Sequence, residues 1–324
     1  MHPFYFEQAR DLLARAQHIL VLTDTRIDGD TIGSSLAFAD LCRRRGLRVT
    51  HVAQDLVPAG LAFLPGFEWI TTEKQVLADH TIDLVAVFDC SRKEVVEAFL
   101  GPLRERVPLL VFDHHASNTG FGDFNILHLD ASSTCEVVYD FFVFMQEGLT
   151  PDVAKCLLSG MVTDTGVFSN PLAHAAAFEK AARLMYLGGS VKRVVDEVQL
   201  RTGVNRLRLW GLVFSRIVHH RTLGIATTYV LHDDLARTET TEEDFAELAD
   251  YLGNALDVSV VFLLKELPGR EQIKVSYRSR GHDLLPLAQA FGGGGHKTAG
   301  GFTVAGQMTE EGQFGRVVKA GVLS

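Results

Sequence analysis

Short apolar runs alternate with helical patterns through the first half of the chain. The runs are HILVLTD, LRVTHVAQ, DLVAVFD and PLLVFDHH, which begin at residues 18, 47, 83 and 108. Between the first two, apolar residues at helical spacing predict a helix over 32–45, closed by Gly46. Apolar runs of this length, separated by helices, are typical of a parallel sheet that is covered on both faces. The pattern therefore predicts an α/β domain whose parallel sheet is flanked by helices.

Further helical patterns cover 133–147, 152–162 and 173–187, where Gly188 and Gly189 supply a stop. We expect a first domain over 1–187, a linker over 188–206 and a second domain over 207–324. The second part opens with RLRLWGLVFSRIV and contains the strand candidates GIATTYVL, VSVVFLLKEL and QIKVSYRS around the helical pattern FAELADYLGNAL. It is predicted to be a smaller α+β domain.

Composition narrows the partners and the compartment. With 31 basic and 40 acidic side chains, the formal charge is −9, so a phosphate-bearing partner needs local cations and a long nucleic acid duplex is not expected. The four cysteines form no C-x-x-C pair, which favours a reducing cytosol. No apolar run approaches the ~20 residues of a membrane span. We expect a cytoplasmic protein that does not bind membranes.

Acidic residues stand where the apolar runs end. Three runs finish at Asp24, Asp89 and Asp113, and Asp28 and Asp30 follow closely after the first. In an open α/β sheet these strand ends converge on one edge, where ligands bind. Clustered carboxylates repel one another unless divalent cations compensate their charge, so the crowding predicts a metal site.

Plainer interpretations exist for each acid taken alone. A single acid after a strand is usually a turn former or a helix N-cap, and Asp164, where a helix is expected to end, has that alternative too. Asp24 has another alternative, a surface salt bridge to Arg26. A dinucleotide-binding domain is disfavoured, because acids stand where G-x-G-x-x-G would leave bare backbone for a pyrophosphate.

Five motifs in order resemble the DHH phosphoesterase superfamily: D-x-x-x-D-G-D-x-x-G-S-S, VFDC, FDHHASN, VTDTG and FGGGGHKTAGG. The chain is similar to the cytosolic branch of nano-RNases that also act as pAp phosphatases. The resemblance implies two divalent ions, usually manganese, with magnesium or cobalt also compatible with the ligand types. Asp28 and Asp89 would bind the first ion, and the second would be bound by Asp30, Asp89, His114 and Asp164.

The same resemblance implies that a hydroxide held between the two ions attacks phosphorus. His115 would lie near the leaving group or the phosphate, and Asp113 would orient its neighbours. The family normally begins its first motif with histidine, where this chain has Asp24. As a further metal ligand, Asp24 would bring five carboxylates to the two ions, from which we expect tighter cation binding and weaker Lewis acidity.

The four glycines at 292–295 leave backbone N–H groups open to anionic oxygens, although a plain helix-to-strand turn is the simpler interpretation. The resemblance favours substrate binding, and it adds Arg278 and Ser279, the pair that matches an Arg-Ser pair of relatives. The predicted substrate-binding residues are Arg278, Ser279, Gly293, Gly294, Gly295 and His296.

The function expected from the sequence is a metal-dependent phosphohydrolase. It would degrade short oligonucleotides to mononucleotides, dephosphorylate the nucleoside bisphosphate pAp, or do both. The alternatives are a phosphodiesterase of signalling dinucleotides, a manganese pyrophosphatase, and a nucleotide-binding protein whose catalysis is weakened by Asp24. A homodimer is left open.

Overall fold

The structure is a computed structural model that describes residues 3–199, 203–269, 271–310 and 316–320. The chain forms two compact units, Met1–Arg201 and Thr202–Ser324. The junction between them falls inside the predicted linker over 188–206, whose limits stay a prediction. In the described ranges, none of the helices has the length and apolar character needed to cross a bilayer.

The first unit is built on a six-stranded sheet in which every neighbouring pair is parallel, in the order β3-β2-β1-β4-β5-β6. Its strands are β1 His18–Thr23, β2 Arg48–Val52, β3 Ile70–Thr71, β4 Leu84–Phe88, β5 Leu109–Asp113 and β6 Phe124–Leu127. Its helices are α1 Pro3–Leu13, α2 Gly29–Arg44, α3 Lys93–Leu100, α4 Thr134–Phe144, α5 Pro151–Asp164, α6 Ala175–Tyr186 and α7 Val191–Val194. The predicted parallel sheet flanked by helices is confirmed.

Both faces of this sheet are covered, which explains why the strands are apolar without alternation. In β1, Ile19 and Val21 join the larger hydrophobic cluster, while Leu20 and Leu22 join the smaller one on the opposite face. The side chains of β4 and β5 alternate between the two clusters in the same way, because successive side chains on a strand point to opposite faces of the sheet.

Strands β1 and β4 are neighbours, and the chain leaves them in opposite directions. From β1 it proceeds outward to β2 and β3, whereas from β4 it proceeds to β5 and β6 on the other side. A reversal of strand order opens a crevice at the carboxyl ends of the two strands. Asp24 follows β1 and Asp89 follows β4, so both residues lie at this crevice.

The second unit has a mixed sheet in the order β11-β12-β10-β9-β8-β7, with β13 paired to β12. The strands are β7 Val218–His220, β8 Ile225–Val230, β9 Val260–Glu266, β10 Gln272–Ser279, β11 Gly294–Gly295, β12 Ala299–Glu310 and β13 Arg316–Ala320. The helices are α8 Val204–Ser215, α9 His232–Thr238, α10 Glu242–Ala255 and α11 Leu285–Ala290. Strands β8 and β9 are parallel and the other pairs are antiparallel, which confirms the predicted smaller α+β domain.

The four cysteines are buried free thiols. Burial raises the pKa of the Cys90 thiol to about 12, so the thiolate form is disfavoured near neutral pH. These side chains therefore serve as small apolar groups.

His51 on β2 is 1% exposed, and neither ring nitrogen has a hydrogen-bond partner within the described part of the chain. Burial, helped by the nearby Arg43 cation, lowers the pKa of His51 from 6.5 to about 3. Between pH 6.5 and about pH 3, His51 is therefore protonated in the unfolded chain but neutral in the folded chain. Stability should fall as the pH falls below 6.5, because the histidine protonates only on unfolding.

We expect this group to contribute a loss of about 2 kcal/mol in the free energy of unfolding between pH 7 and pH 5. His51→Leu should remove that part of the pH dependence, whereas the same change at the exposed His80 should leave it in place. Urea unfolding of the three proteins at both pH values is the measurement. Parallel pH profiles for His51→Leu and the parent would contradict the assignment.

Candidate metal centre

Asp30 is fully buried in the first turn of α2, and its carboxylate is held by the start of α4. Oδ2 accepts the backbone N–H of Thr134 at 2.6 Å, and Oδ1 accepts that of Cys135 at 2.8 Å. Ser133 caps α4 and so aims these two free N–H groups at Asp30. The donors are neutral, so they orient the carboxylate and leave its negative charge uncompensated.

Asp89 follows β4 with φ of 58°, a left-handed conformation that is uncommon for residues other than glycine and that turns its side chain into the crevice. Its Oδ2 accepts the Thr31 hydroxyl at 2.7 Å and its Oδ1 accepts the Thr134 hydroxyl at 3.0 Å. Its backbone N–H donates to the Phe112 carbonyl at 2.9 Å. Three separate segments thus fix the position of this carboxylate.

His114 lies at the carboxyl end of β5, and a hydrogen bond fixes its tautomer. Its Nδ1 lies 3.2 Å from the Ala131 carbonyl oxygen, to which it donates. The buried Nε2 is therefore the ring nitrogen that can bind a cation, once it gives up its proton. In the described residues, no hydrogen bond of good geometry satisfies Nε2, which lies 3.1 Å from Asp164 Oδ2 and 3.9 Å from Asp89 Oδ1.

His115 is half exposed and is held by the buried Asp113. Oδ1 of Asp113 accepts His115 Nδ1 at 2.8 Å, while Oδ2 accepts the Asn118 amide at 2.7 Å. This hydrogen bond to the Asp113 carboxylate, opposed by partial burial, raises the pKa of His115. Nε2 of His115 is the ring nitrogen left for a substrate or an ion.

Two groups of potential metal ligands result: Asp30 with His114 and Asp164, and Asp89 with His114 and His115. In each group the ligand atoms lie within 4.8 Å of one another. Burial and the neighbouring carboxylates raise the pKa of Asp30, and burial and Asp164 raise that of Asp89. Burial opposes a charged imidazole at His114, yet Asp164, Asp30 and Asp89 raise its pKa to about 10.

These residues fit a divalent cation. The cluster has several buried carboxylates, one imidazole nitrogen without a good hydrogen bond, and oxygen and nitrogen donors of the type that manganese and magnesium prefer. A cation would remove the repulsion that raises these carboxyl pKa values.

Asp28 and Asp24, the other predicted ligands, lie beside this cluster and outside both groups. Oδ1 of Asp28 accepts the N–H groups of Asp30 and Thr31, each at 2.9 Å, so Asp28 is the N-cap of α2. The structure thus shows Asp28 as a helix N-cap, which was the plainer interpretation of an acid after a strand, and the residue also lines the crevice. Asp24 pairs with Arg92 and, more distantly, with Arg26.

The crevice contains a cavity of about 130 Å³ lined by Asp24, Arg26, Asp28, Asp89, Ser91 and His115. It thus brings Asp24, Asp28 and Asp89 together with His115. Asp30, which is fully buried, is not among its lining residues.

In the second unit, the glycine run is explained largely by tight backbone packing. A Cβ at Gly293 would lie 2.3 Å from the Gly301 carbonyl oxygen, and one at Gly295 would lie 2.4 Å from Gly300 Cα. Gly294 alone of these three faces open space. The simpler interpretation, a turn between α11 and β12, therefore accounts for Gly293 and Gly295 without a ligand.

Arg278, Ser279 and His296 lie around the same strands. Ser279 Oγ donates to the His282 carbonyl at 2.9 Å, so this hydroxyl closes a turn. The aliphatic stem of Arg278 packs over Gly253, where an added Cβ would lie 2.7 Å from Arg278 Cβ. His296 is exposed, and its backbone N–H donates to Ala299 O at 2.7 Å. Substrate binding by these residues stays a prediction.

Sequence reasoning missed several residues that shape the site. Thr31 bridges Asp28 and Asp89 through one hydroxyl, and its place directly after D-G-D was the available signal. Thr134 follows the N-cap serine of α4 and donates its hydroxyl to Asp89. Gly160, where a Cβ would lie 2.4 Å from Asp30 Oδ1, gave no signal in the sequence.

The parallel sheet and the cluster at its switch point define a class, the α/β proteins with a candidate metal centre of carboxylates and imidazole. Two family models match the chain: the DHH family, N-terminal domain, over residues 18–161, and the DHHA1 domain over residues 224–320. The chain belongs to the DHH family, as its motifs indicated.

Three comparisons describe its relatives. The chain is 31% identical, over 98% of its length and 94% of the relative, to the "Bifunctional oligoribonuclease and PAP phosphatase NrnA" of Thermus thermophilus. It is 26% identical to the protein of the same name from Bacillus subtilis, over 88% of this chain and 89% of that one. The crystal structure of an exopolyphosphatase-related protein from Bacteroides fragilis shares the fold with a TM-score of 0.81, at 22% identity and over 93% and 91% of the two chains.

Proposed function

We propose that the protein is a metal-dependent phosphohydrolase that cleaves short oligonucleotides to mononucleotides and removes a phosphate from pAp. The observation that carries the proposal is the convergence of Asp30, Asp89, His114 and Asp164 from distant segments into one cluster of potential ligands. Their anchoring groups are mostly neutral hydroxyl and amide donors, so the carboxylates keep the charge that a cation needs.

The proposed inner cation position uses Asp30, Asp89, His114 and Asp164. The outer position uses Asp28 and Asp89, which line the cavity. Divalent cations bound there would lower the pKa of water and neutralise charge on phosphate oxygens. Manganese is the proposed ion, because mixed carboxylate and imidazole ligands suit it, and magnesium is the alternative.

Two residues of the chain have further roles in this proposal: Asp89 is a ligand whose orientation is fixed in advance, and His115 is a proton donor. Asp89 is held on both oxygens by Thr31 and Thr134, so its direction is set before any ligand arrives. His115, oriented through Nδ1 by Asp113, lines the cavity and has Nε2 available to donate to a phosphate or leaving oxygen.

The second unit is proposed to hold the nucleotide portion of the substrate. Arg278 supplies a guanidinium, which can grip a phosphate through two donors, and Gly294 offers open backbone. These local groups would meet the requirement set by the unfavourable net charge of −9. The printed names of the Thermus and Bacillus relatives support short oligonucleotides and pAp as the substrate class.

The purified full chain should be incubated with pAp, RNA and DNA dinucleotides, longer RNA, pyrophosphate and cyclic dinucleotides, with manganese or magnesium. We expect release of mononucleotides from dinucleotides and of phosphate from pAp, with rates that fall as the RNA is lengthened. Product analysis by chromatography is the measurement, with chelator-treated protein as the control.

The other candidate functions give different results in the same experiment. Preferential turnover of pyrophosphate would indicate a pyrophosphatase, and preferential turnover of cyclic dinucleotides a signalling phosphodiesterase. Binding of dinucleotides without turnover in either metal would indicate a nucleotide-binding protein. Each of these outcomes would overturn the proposal.

A further inference from the structure

Asp24 lies at the cavity, but one of its oxygens is already occupied. Oδ1 accepts Arg92 Nη2 at 2.6 Å and the backbone N–H of Thr25 at 2.7 Å. The same Arg92 nitrogen donates to the Thr25 hydroxyl at 2.7 Å. The Asp24 side chain is 6% exposed and that of Arg92 is 35% exposed, so water screens this pair only in part.

A short charge-assisted hydrogen bond of this kind is among the stronger polar contacts in proteins. It also differs in kind from the contacts of Asp30 and Asp89, whose donors are uncharged amides and hydroxyls. Those donors leave a full negative charge for a cation. The Arg92 guanidinium cancels the charge of Asp24 and occupies one of its oxygens.

The charge balance of the crevice changes accordingly. The sequence led us to expect five carboxylates around the ions and hence tighter cation binding. Asp24 and Arg92 together carry no net charge. Among the described residues, Asp28, Asp30, Asp89 and Asp164 are then the carboxylates of the crevice that have no arginine or lysine partner. Four negative charges would match two divalent cations, which argues against the tighter cation binding expected from a fifth carboxylate.

We infer that Arg92 withholds Asp24 from metal coordination and thereby keeps the outer cation position, beside Asp28 and Asp89, weaker than the inner one. The inference rests on the proposed function, since it concerns the same cations. Arg92 is a positioning residue in this scheme, because it acts through Asp24.

The test is a manganese titration of the purified full chain without substrate, by calorimetry and by electron paramagnetic resonance of free manganese. The parent should bind two ions whose dissociation constants differ at least about tenfold. Arg92→Gln should tighten the weaker class by about tenfold or more, because Asp24 is then free to coordinate. Arg92→Met keeps the aliphatic stem and should act likewise, should the glutamine variant fold poorly.

Arg26→Gln is the matched control. It removes the same charge from a side chain that is 76% exposed and 4.0 Å from Asp24 Oδ2, so we expect less than about a threefold change. Asp24→Asn should keep both classes of ions, with the weaker one reduced only modestly.

Two results would overturn the inference while leaving the proposed function standing. One is an Arg92→Gln titration that matches that of Arg26→Gln, and the other is complete loss of the weaker class in Asp24→Asn. Failure of the parent to bind any manganese would instead contradict the proposed function itself, and the inference with it.

Discussion

Asp89→Asn is expected to lower kcat/KM by about a thousandfold, since a lost metal contact removes several kcal/mol of transition-state stabilisation. Asparagine is nearly isosteric, and like aspartate it tolerates the left-handed φ of 58° that this position requires. The backbone should therefore stay in place. The substitution removes the negative charge. It also replaces one carboxylate oxygen by an amide NH₂ group, so the hydrogen bond from the hydroxyl of either Thr31 or Thr134 is lost.

The measurement combines turnover of a dinucleotide with a manganese titration and circular dichroism. Asp130→Asn, the same substitution at an exposed position, should leave turnover unchanged. In the metal-free protein, Asp89→Asn should not lower the free energy of unfolding, because it removes repulsion among buried carboxylates. Parental kcat/KM in Asp89→Asn would show that the hydrolysis takes place elsewhere.

The location of the site was predictable because parallel strands place their carboxyl ends at one edge. Asp89 stands directly after the apolar strand LVAVF, and His114 directly after the strand LLVFD, so the sequence alone placed both at the same edge. The parallel sheet itself followed from runs such as LVAVF, which are too apolar for a half-exposed strand. The strands and the residues at their ends can thus be predicted from short stretches of sequence.

The partners of the site residues were not predictable in the same way. Thr134 meets Asp30 across 104 positions of sequence, and Arg92 meets Asp24 across 68. Such contacts depend on how α3 and α4 dock on the sheet, which no local pattern encodes. For the same reason the sequence pointed to Arg26, two positions from Asp24, as its partner, whereas Arg92 is the closer partner in space.

Gly160→Ala is expected to disable the site through packing alone. Gly160 lies inside α5, and an added Cβ would stand 2.4 Å from Asp30 Oδ1 and 2.4 Å from Cys135 Sγ. Helix propensity favours alanine by about 1 kcal/mol, but overpacking a fully buried contact costs about 1–3 kcal/mol or more. The net change should be a loss of stability, with Asp30 displaced from the N–H groups of α4.

Gly211→Ala is the matched control, because Gly211 lies within α8 and nothing would lie within 4 Å of its Cβ. That variant should gain about 0.5–1 kcal/mol, chiefly by restricting the unfolded chain. Urea unfolding and manganese titration of both variants separate the two effects. Gly160→Ala should lose the tight manganese class even where it remains folded, since the inner position depends on Asp30. Retention of tight manganese binding in a folded Gly160→Ala protein would mean that Asp30 is not an inner ligand.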